Sequence, residues 1–594
     1  MLVYGDHPRL VESAGAVAAL ARRLGEVEAL GPGLARHAAW VALLIDAGEL
    51  AQGLCDAVFA ERQRDERTAL TQACEELVLV LGRRVVASWR SGFRENGPPI
   101  HPALEALARL ALPPEVLCKV PEGHVFYALY PEAYLEAARA VPREAEPVRV
   151  IGLRSIGMAL SGVVAAALDA EAPLTVRPVG HPFQRMLSLS PELEELLVGE
   201  RARRYVIVDE GPGLSGSSFG AVADFLEERG VPTHRLHFLP SHLGELGPQA
   251  HARHRERWRS ASRHVVDFES LLLRPREPTH ALIHWVEDLT GPAESPLEDV
   301  GGGGWRRHLL REEEWPAVHV QQERRKYLLR AGGRTWLLRF VGLGRYGEHH
   351  LERARALAEA GFSPPVVGLR HGFLVQPWLV EARPLQGRRE VDRRELVTRV
   401  GAYLGHRAKH LGDAPEGSGA APRELWEMAR YNTAQALGPE LAVRLDEWEP
   451  RLVSIAQAVR RMETDNRLHA WEWLWLPGGR ILKTDGVDHC RGHDLVGCQD
   501  LAWDLAGAAV ELGLTEAEQA TLGETVSRHG GILPKPEVLR FHLLCYLAFQ
   551  LGHHSLAASA LEGSVPEEAA RLHRAAGRYG EALRQRLISP GSVL

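Results

Sequence analysis

The spacing of apolar and polar positions changes along the chain, and each change predicts a different kind of element. Across residues 11–24 and 36–54 apolar residues recur at helical spacing with glycines at the ends, so residues 1–115 read as a helical region. From residue 148 the period becomes that of alternating strands and helices. Residues 148–153 and 174–177 read as strands around a helix over 156–168. Residues 205–209, 218–229 and 234–240 repeat strand, helix and strand, with Gly230 as the helix C-cap. Repeated units of this order predict a parallel sheet with ligands at the strand C-termini. The run Gly-Pro-Ala-Glu-Ser-Pro followed by four glycines predicts a linker over 291–304. Beyond it, residues 325–340 read as a hairpin turning at Gly332-Gly333. A helix with Glu348, Glu352 and Leu357 follows, then a strand pair near 366–375, the connector Gln376-Pro377-Trp378, and a largely helical remainder. The expected fold class is α/β multidomain, divided into 1–115, a parallel-sheet domain 116–290, the linker, and an α+β domain 305–594.

Composition narrows the function classes more than it identifies one. At 594 residues the chain exceeds a single core. A net charge of −7 and ordinary hydrophobic content mark no nucleic-acid surface. Six cysteines without regular spacing argue against a disulfide framework. The N-terminus shows no basic stretch followed by an apolar core, and no apolar run reaches membrane-spanning length. The expectation is a cytoplasmic protein acting on a small molecule, with no nucleic-acid or membrane partner and with a homodimer left open.

The most informative stretch is residues 205–219, Tyr-Val-Ile-Val-Asp-Glu-Gly-Pro-Gly-Leu-Ser-Gly-Ser-Ser-Phe. It reads as a buried strand, two acids at its exit, a Gly/Ser loop and a helix start. Backbone N–H groups and hydroxyls from Ser215 to Ser218, at the positive end of a helix dipole, form a phosphate cradle. Asp209 and Glu210 are placed to accept hydrogen bonds from sugar hydroxyls of the same ligand. A phosphorylated sugar is the best reading; a generic strand-loop-helix unit binding another phosphate is the alternative.

This segment resembles the phosphoribosyl diphosphate (PRPP) motif of type I phosphoribosyltransferases, with Glu as the second acid, Ser in place of Thr, and one extra loop residue. Upstream, Gly152-Leu153-Arg154-Ser155-Ile156-Gly157 resembles the diphosphate loop of that family, and Arg154 adds a fixed charge suited to a diphosphate. Between them, residues 177–185 carry Arg177, His181 and Arg185 with two Pro and a Gly. They read as a loop, at the position of the family's mobile loop that closes over the diphosphate. The resemblance implies catalytic roles for Asp209, Glu210 and Arg154. It also implies PRPP contacts at Ser155, Gly157, Gly213, Ser215, Gly216, Ser217 and Ser218, and Mg²⁺ at Asp209 and Glu210. The reaction it implies is nitrogen attack on ribose C1 with departure of diphosphate.

The C-terminal half resembles aminoglycoside-phosphotransferase-like kinases. Residues 477–485 look like their hairpin ending in a metal-binding Asp, here Asp485, and residues 500–506 like the structural helix after it. Arg339 stands where the phosphate-pairing Lys is expected, and the catalytic loop reads as shortened to residues 468–473. The resemblance implies a two-lobed domain that binds ATP and Mg²⁺ through Arg339, Glu348 and Asp485, with little phosphoryl transfer. His489, Cys490, His493 and Cys498 have soft-ligand spacing for Zn²⁺, but a structural loop is the stronger reading. Three functions stay open: a phosphoribosyltransferase with a kinase-like accessory domain, a non-catalytic nucleotide or PRPP sensor, and a bifunctional phosphoribosyltransferase-kinase.

Overall fold

In the computed structural model, residues 1–5, 8–142, 146–199, 204–386, 391–412, 414 and 418–588 are described. The chain is a mixed α/β assembly with one parallel sheet, several antiparallel sheets and a large helical C-terminal part. The parallel sheet has the spatial order Leu174–Val176, Val148–Leu153, Arg204–Val208, Leu236–Leu239, Ser262–Arg263. Its inner strand Arg204–Val208 is buried throughout, as an apolar run covered on both faces must be. The strand following Val148–Leu153 in sequence lies on one side of it, and the next sheet strand lies on the other. That arrangement opens a crevice at the C-terminal ends of Val148–Leu153 and Arg204–Val208. Gly152 pairs with Val208, so residues 154–155 and 209–210 leave the sheet at one level.

One face of this sheet is covered by the helix Gly157–Ala167, on which the N-terminal helices Leu34–Arg62 and Ala69–Arg90 pack. A Cβ on Gly82 would lie 2.5 Å from the carbonyl oxygen of Gly162, so these two glycines set how closely the helices cross. The same apolar core continues from Val17 through the sheet to Phe373 and Val375. The helix Leu34–Arg62 is the one among the described residues long and apolar enough to cross a membrane, a length the residue pattern understated. In this fold 83% of its apolar window is buried as core.

A five-stranded antiparallel sheet follows, in the order Glu298–Asp299, Lys326–Ala331, Arg334–Phe340, Phe373–Pro377, Gly368–Arg370. The hairpin turns at Gly332 and Gly333, both at positive φ, and the helix Arg345–Glu359 crosses to the next strands. Residues 291–304 are not a free linker. Glu298–Asp299 forms the sheet edge against Tyr327 and Leu328, and Glu294 takes the Gly333 N–H on its side chain. The Gly/Pro content here makes turns around an edge strand. Residues 177–185 differ similarly: Val179–His181 and Gln184–Met186 pair as a small hairpin, because Pro182 occupies the turn and leaves both flanks free to pair. The helical part carries the small sheet Arg383–Pro384, Trp473–Trp475, Ile481–Lys483 and has its own cores.

Candidate functional site: a crevice and a cleft sharing a wall

At the crevice, Asp209 and Glu210 are half-buried at the exit of Arg204–Val208. The Glu210 N–H donates to Asp209 Oδ1 at 2.8 Å, and the Asp209 carbonyl accepts from the Tyr134 hydroxyl at 2.7 Å. Burial pushes the Asp209 carboxyl up to about 6. Burial, together with the neighbouring Glu122 and Asp209, pushes Glu210 up to about 8. Gly213 and Gly216 turn the loop at φ 61° and 60°, a conformation that glycine adopts without steric cost. The helix Ser217–Glu228 starts there, with Ser215 Oγ 2.9 Å from Ser217 Oγ. The small hairpin lies over this turn: Ser217 Oγ donates to the Pro182 carbonyl at 2.6 Å, and Arg185 donates to Ser218 Oγ at 3.0 Å. His181 is exposed beside it.

Three expected crevice residues are committed elsewhere. Arg154 is buried and ion-paired with Asp56 at 2.8 Å and with Asp65, and it also donates to the Thr175 carbonyl. Its charge anchors the sheet to the helix Leu34–Arg62, which corrects the expectation of a diphosphate contact. Arg177 is likewise held by Asp56, with its N–H donated to Asp65 at 2.7 Å. A Cβ on Gly157 would lie 2.7 Å from the Val208 carbonyl oxygen, so that glycine serves close packing of helix on strand. Ser155, half-buried, keeps its place at the crevice.

The larger site is a cleft of about 270 Å³ between the antiparallel sheet and the helical part. Lys326, Leu337 and Arg339 line it from the sheet, Gln376 to Trp378 from the connector, and Glu472, Asp485 and Asp488 from the helical side. The Asp485 carboxylate meets the Arg339 guanidinium and lies 3.3 Å from Lys326 Nζ. Asp488 is buried, 2.9 Å from Arg324 Nε and 3.8 Å from Arg339. Burial alone would raise its carboxyl, but Arg324 and Arg339 hold it well below the usual range. Asp485, Asp488 and His489 bring ligand atoms within 4.8 Å of one another, and both Asp488 oxygens are buried without a hydrogen bond. Two neighbouring carboxylates, one of them with both oxygens free of hydrogen bonds, fit a hard divalent cation such as Mg²⁺.

Glu348, expected at the nucleotide, faces out of this cleft. Its side chain is 56% exposed and meets Arg23 at 3.1 Å. One helical turn earlier lies the reason: Arg345 binds Asp46 and Glu49 of Leu34–Arg62, which turns the start of this helix toward the N-terminal region.

Just upstream of the expected loop 468–473, a second loop is held from two sides. Asp504, in the helix Leu501–Glu511, accepts the backbone N–H of Asp465 at 2.8 Å and of Asn466 at 2.9 Å. Buried Arg407 donates to the carbonyls of Glu463 and Thr464 at 2.9 and 3.0 Å. The loop held in this way runs from Glu463 to Asn466 and carries Asp465, an acid that the residue pattern did not single out. Asp465 is buried; it accepts from the Tyr403 hydroxyl at 2.5 Å and lies 3.4 Å from Lys483 Nζ and 3.5 Å from His489 Nδ1. Lys483 also binds Glu472 at 2.7 Å. The four soft ligands do not converge: His489 turns to Asp465, His493 lies 3.0 Å from Glu122, and Cys498 Sγ contacts the Cys490 carbonyl.

Residues 121–129 form a wall common to both sites. On one side Gly123 donates its N–H to Glu210 at 3.3 Å; on the other, the Val125 carbonyl accepts from Arg324 at 2.8 Å and Glu122 holds His493.

No family model matches the chain, and no curated protein matches it. Among solved structures it is similar to the choline kinase LicA from Streptococcus pneumoniae, at 14% identity over 43% of this chain and 89% of that one, with a TM-score of 0.32. It is also similar to the macrolide 2'-phosphotransferase MphH from Brachybacterium faecium, at 18% identity over 49% and 97% with a TM-score of 0.32. A third is the spectinomycin phosphotransferase APH(9)-Ia in complex with ADP and spectinomycin, at 11% identity over 51% and 98% with a TM-score of 0.32. None of these three is a phosphoribosyltransferase, and at such scores the likeness is distant, so the functional reading rests on the geometry of the two sites.

Proposed function

We propose that the cleft binds a nucleoside polyphosphate with a divalent cation and serves slow phosphoryl transfer to a small acceptor. The observation that carries this reading is the convergence of Asp485, Asp488 and His489 on one point flanked by Arg324, Lys326 and Arg339. Carboxylates alone would repel a polyphosphate, and guanidinium groups alone would not need so many acids. Both together fit a polyphosphate that would bind with a metal held by Asp485, Asp488 and His489. When bound, the cation neutralises charge on the phosphate oxygens. Leu337, Trp378 and Leu474 line the same cleft and suit a planar ring. Turnover is slow in this reading because Asp465, the acid of the loop, is held by Tyr403, Lys483 and His489. The test is calorimetry with ADP and Mg²⁺, followed by transfer from labelled ATP to small alcohols and sugars. Absence of Mg²⁺-dependent ADP binding would overturn the reading.

The crevice supports a second reading, a site for a phosphorylated sugar of the PRPP class that acts as donor to an acceptor. Its support is the acid pair at the sheet's switch point beside the Ser215–Ser218 turn, with Arg185 laid across Ser218. Release of diphosphate from PRPP in the presence of candidate nitrogen acceptors tests it. If PRPP binds without turnover, the crevice is a sensor.

A further inference from the structure

The cleft has an end that the nucleotide reading does not use. Arg467 is exposed there and has no ion-pair partner among the described residues. Around it, His319, His469 and His553 line the same cavity, and each has a buried Nδ1 without a hydrogen-bond partner. The rings of His319 and His553 are 6.3 Å apart, and His469 stacks on Trp471 at 4.2 Å. Burial lowers the basicity of all three imidazoles, with Arg467 adding to the effect. They are therefore neutral hydrogen-bonding groups around one fixed positive charge.

Four of the five carboxylates that line the cleft do not pair with Arg467, because each already holds another cation. Glu323 holds Lys326 at 3.0 Å, Glu472 holds Lys483, and Asp485 and Asp488 hold Arg339 and Arg324. Asp494 accepts the Val496 N–H at 3.1 Å, a bond that fixes its carboxylate but leaves its charge in the cleft. A cationic acceptor would meet a guanidinium that no ion pair holds here.

We infer that this end of the cleft is an acceptor subsite for a phosphate monoester, held by Arg467 with the imidazoles of His319 and His553. A guanidinium fork with neutral N–H donors beside it matches the several oxygens of one phosphate group better than a single carboxylate. The inference deepens the phosphoryl-transfer reading and rests on it for the word acceptor. It also gives the two sites an order: the reaction that supplies this acceptor is one that makes a phosphorylated sugar derivative, which is the class of product the crevice would release.

The test uses the full chain carrying Ser218→Glu, which places a carboxylate in the crevice turn, so that binding there is suppressed. Calorimetry with ribose 5-phosphate is run without nucleotide, with ribose as the uncharged comparison. Binding of ribose 5-phosphate is expected. Arg467→Gln should weaken it by about tenfold or more, as loss of a charge-assisted contact does, and Arg467→Lys should weaken it less. Ribose should bind weakly whether or not Arg467 is present. Adding Arg467→Gln should weaken Mg²⁺-dependent ADP binding less than it weakens ribose 5-phosphate binding, because Arg467 lies within electrostatic reach of Arg324 but pairs with no acid of the metal cluster. The inference is overturned if ribose 5-phosphate does not bind, if it binds equally well to the Gln variant, or if ADP affinity falls as far as ribose 5-phosphate affinity. If ADP fails to bind the unaltered protein, the nucleotide reading fails, while the Arg467 dependence of ribose 5-phosphate binding still decides the subsite.

Discussion

Asp504 accepts the backbone N–H of Asp465 at 2.8 Å, and the same carboxylate takes the next N–H, from Asn466. A helix 39 residues downstream thus fixes the loop that carries the buried acid. This relation organises the cleft: the loop brings Asp465 under Lys483 and places Arg467 in the open cavity.

The first prediction concerns the metal cluster. Asp485→Ala should weaken Mg²⁺-dependent ADP binding by about tenfold to a hundredfold, the effect of losing a charge-assisted contact, with a smaller stability loss than Asp488→Ala, since Asp485 is 23% exposed and Arg339 keeps Asp488 nearby. Asp488→Ala should unfold more readily still, because it strands buried Arg324 without an acid and takes the second of two acids from Arg339. Calorimetry and urea denaturation of the two variants separate these effects. Equal stability losses would contradict the assignment.

The crevice acids make a pH prediction. Burial raises Asp209 to about 6 and Glu210 to about 8, above the unfolded range near 4. The folded state then binds more protons than the unfolded state between those values. These two groups therefore lower stability as pH rises from about 4 to 8, and the cost stays in full above that. The double variant Asp209→Asn, Glu210→Gln should melt at a higher temperature than the natural protein at pH 9, with almost no difference at pH 4. A gain of equal size at both pH values would show that the acids are not strained by burial.

Arg154 should matter for stability rather than for binding a diphosphate. Its removal leaves Asp56 short of one partner and Asp65 without its guanidinium in a buried place. Breaking a buried pair of this kind costs about 3–5 kcal/mol. Chemical denaturation of Arg154→Ala measures it; a loss under about 1 kcal/mol, the scale of an exposed pair, would rule out the anchoring role.

A fourth prediction tests the core that joins the N-terminal helices to the antiparallel sheet. Glu132 lies 2.8 Å from His37 Nε2 and 2.7 Å from His371 Nε2, all three buried. Glu132→Ala leaves two buried imidazoles without their acceptor and should cost about 2–5 kcal/mol. Hydrogen exchange should show loss of protection at both 34–62 and 368–377. Loss confined to one of them would mean the three residues do not tie the two parts together.

The residue pattern alone determined the local elements: the parallel strands around 148–153 and 205–208, the hairpin at Gly332-Gly333, and the acid pair leading into a Ser/Gly turn. These follow from backbone sterics, period and turn chemistry within a few residues, which one chain segment carries in itself. Tertiary packing decided the partners. Arg154 and Glu348 have the charge expected of them, but which opposite charge they meet depends on helices roughly a hundred and three hundred residues away, Asp56 and Asp65 for one and Arg23 for the other. The loop at Asp465 was hidden for the same reason: what marks it is a pair of backbone N–H groups donated to Asp504, and no spacing within the loop reports that contact. A charge is local to its residue, whereas the free energy of using it depends on what the fold buries beside it.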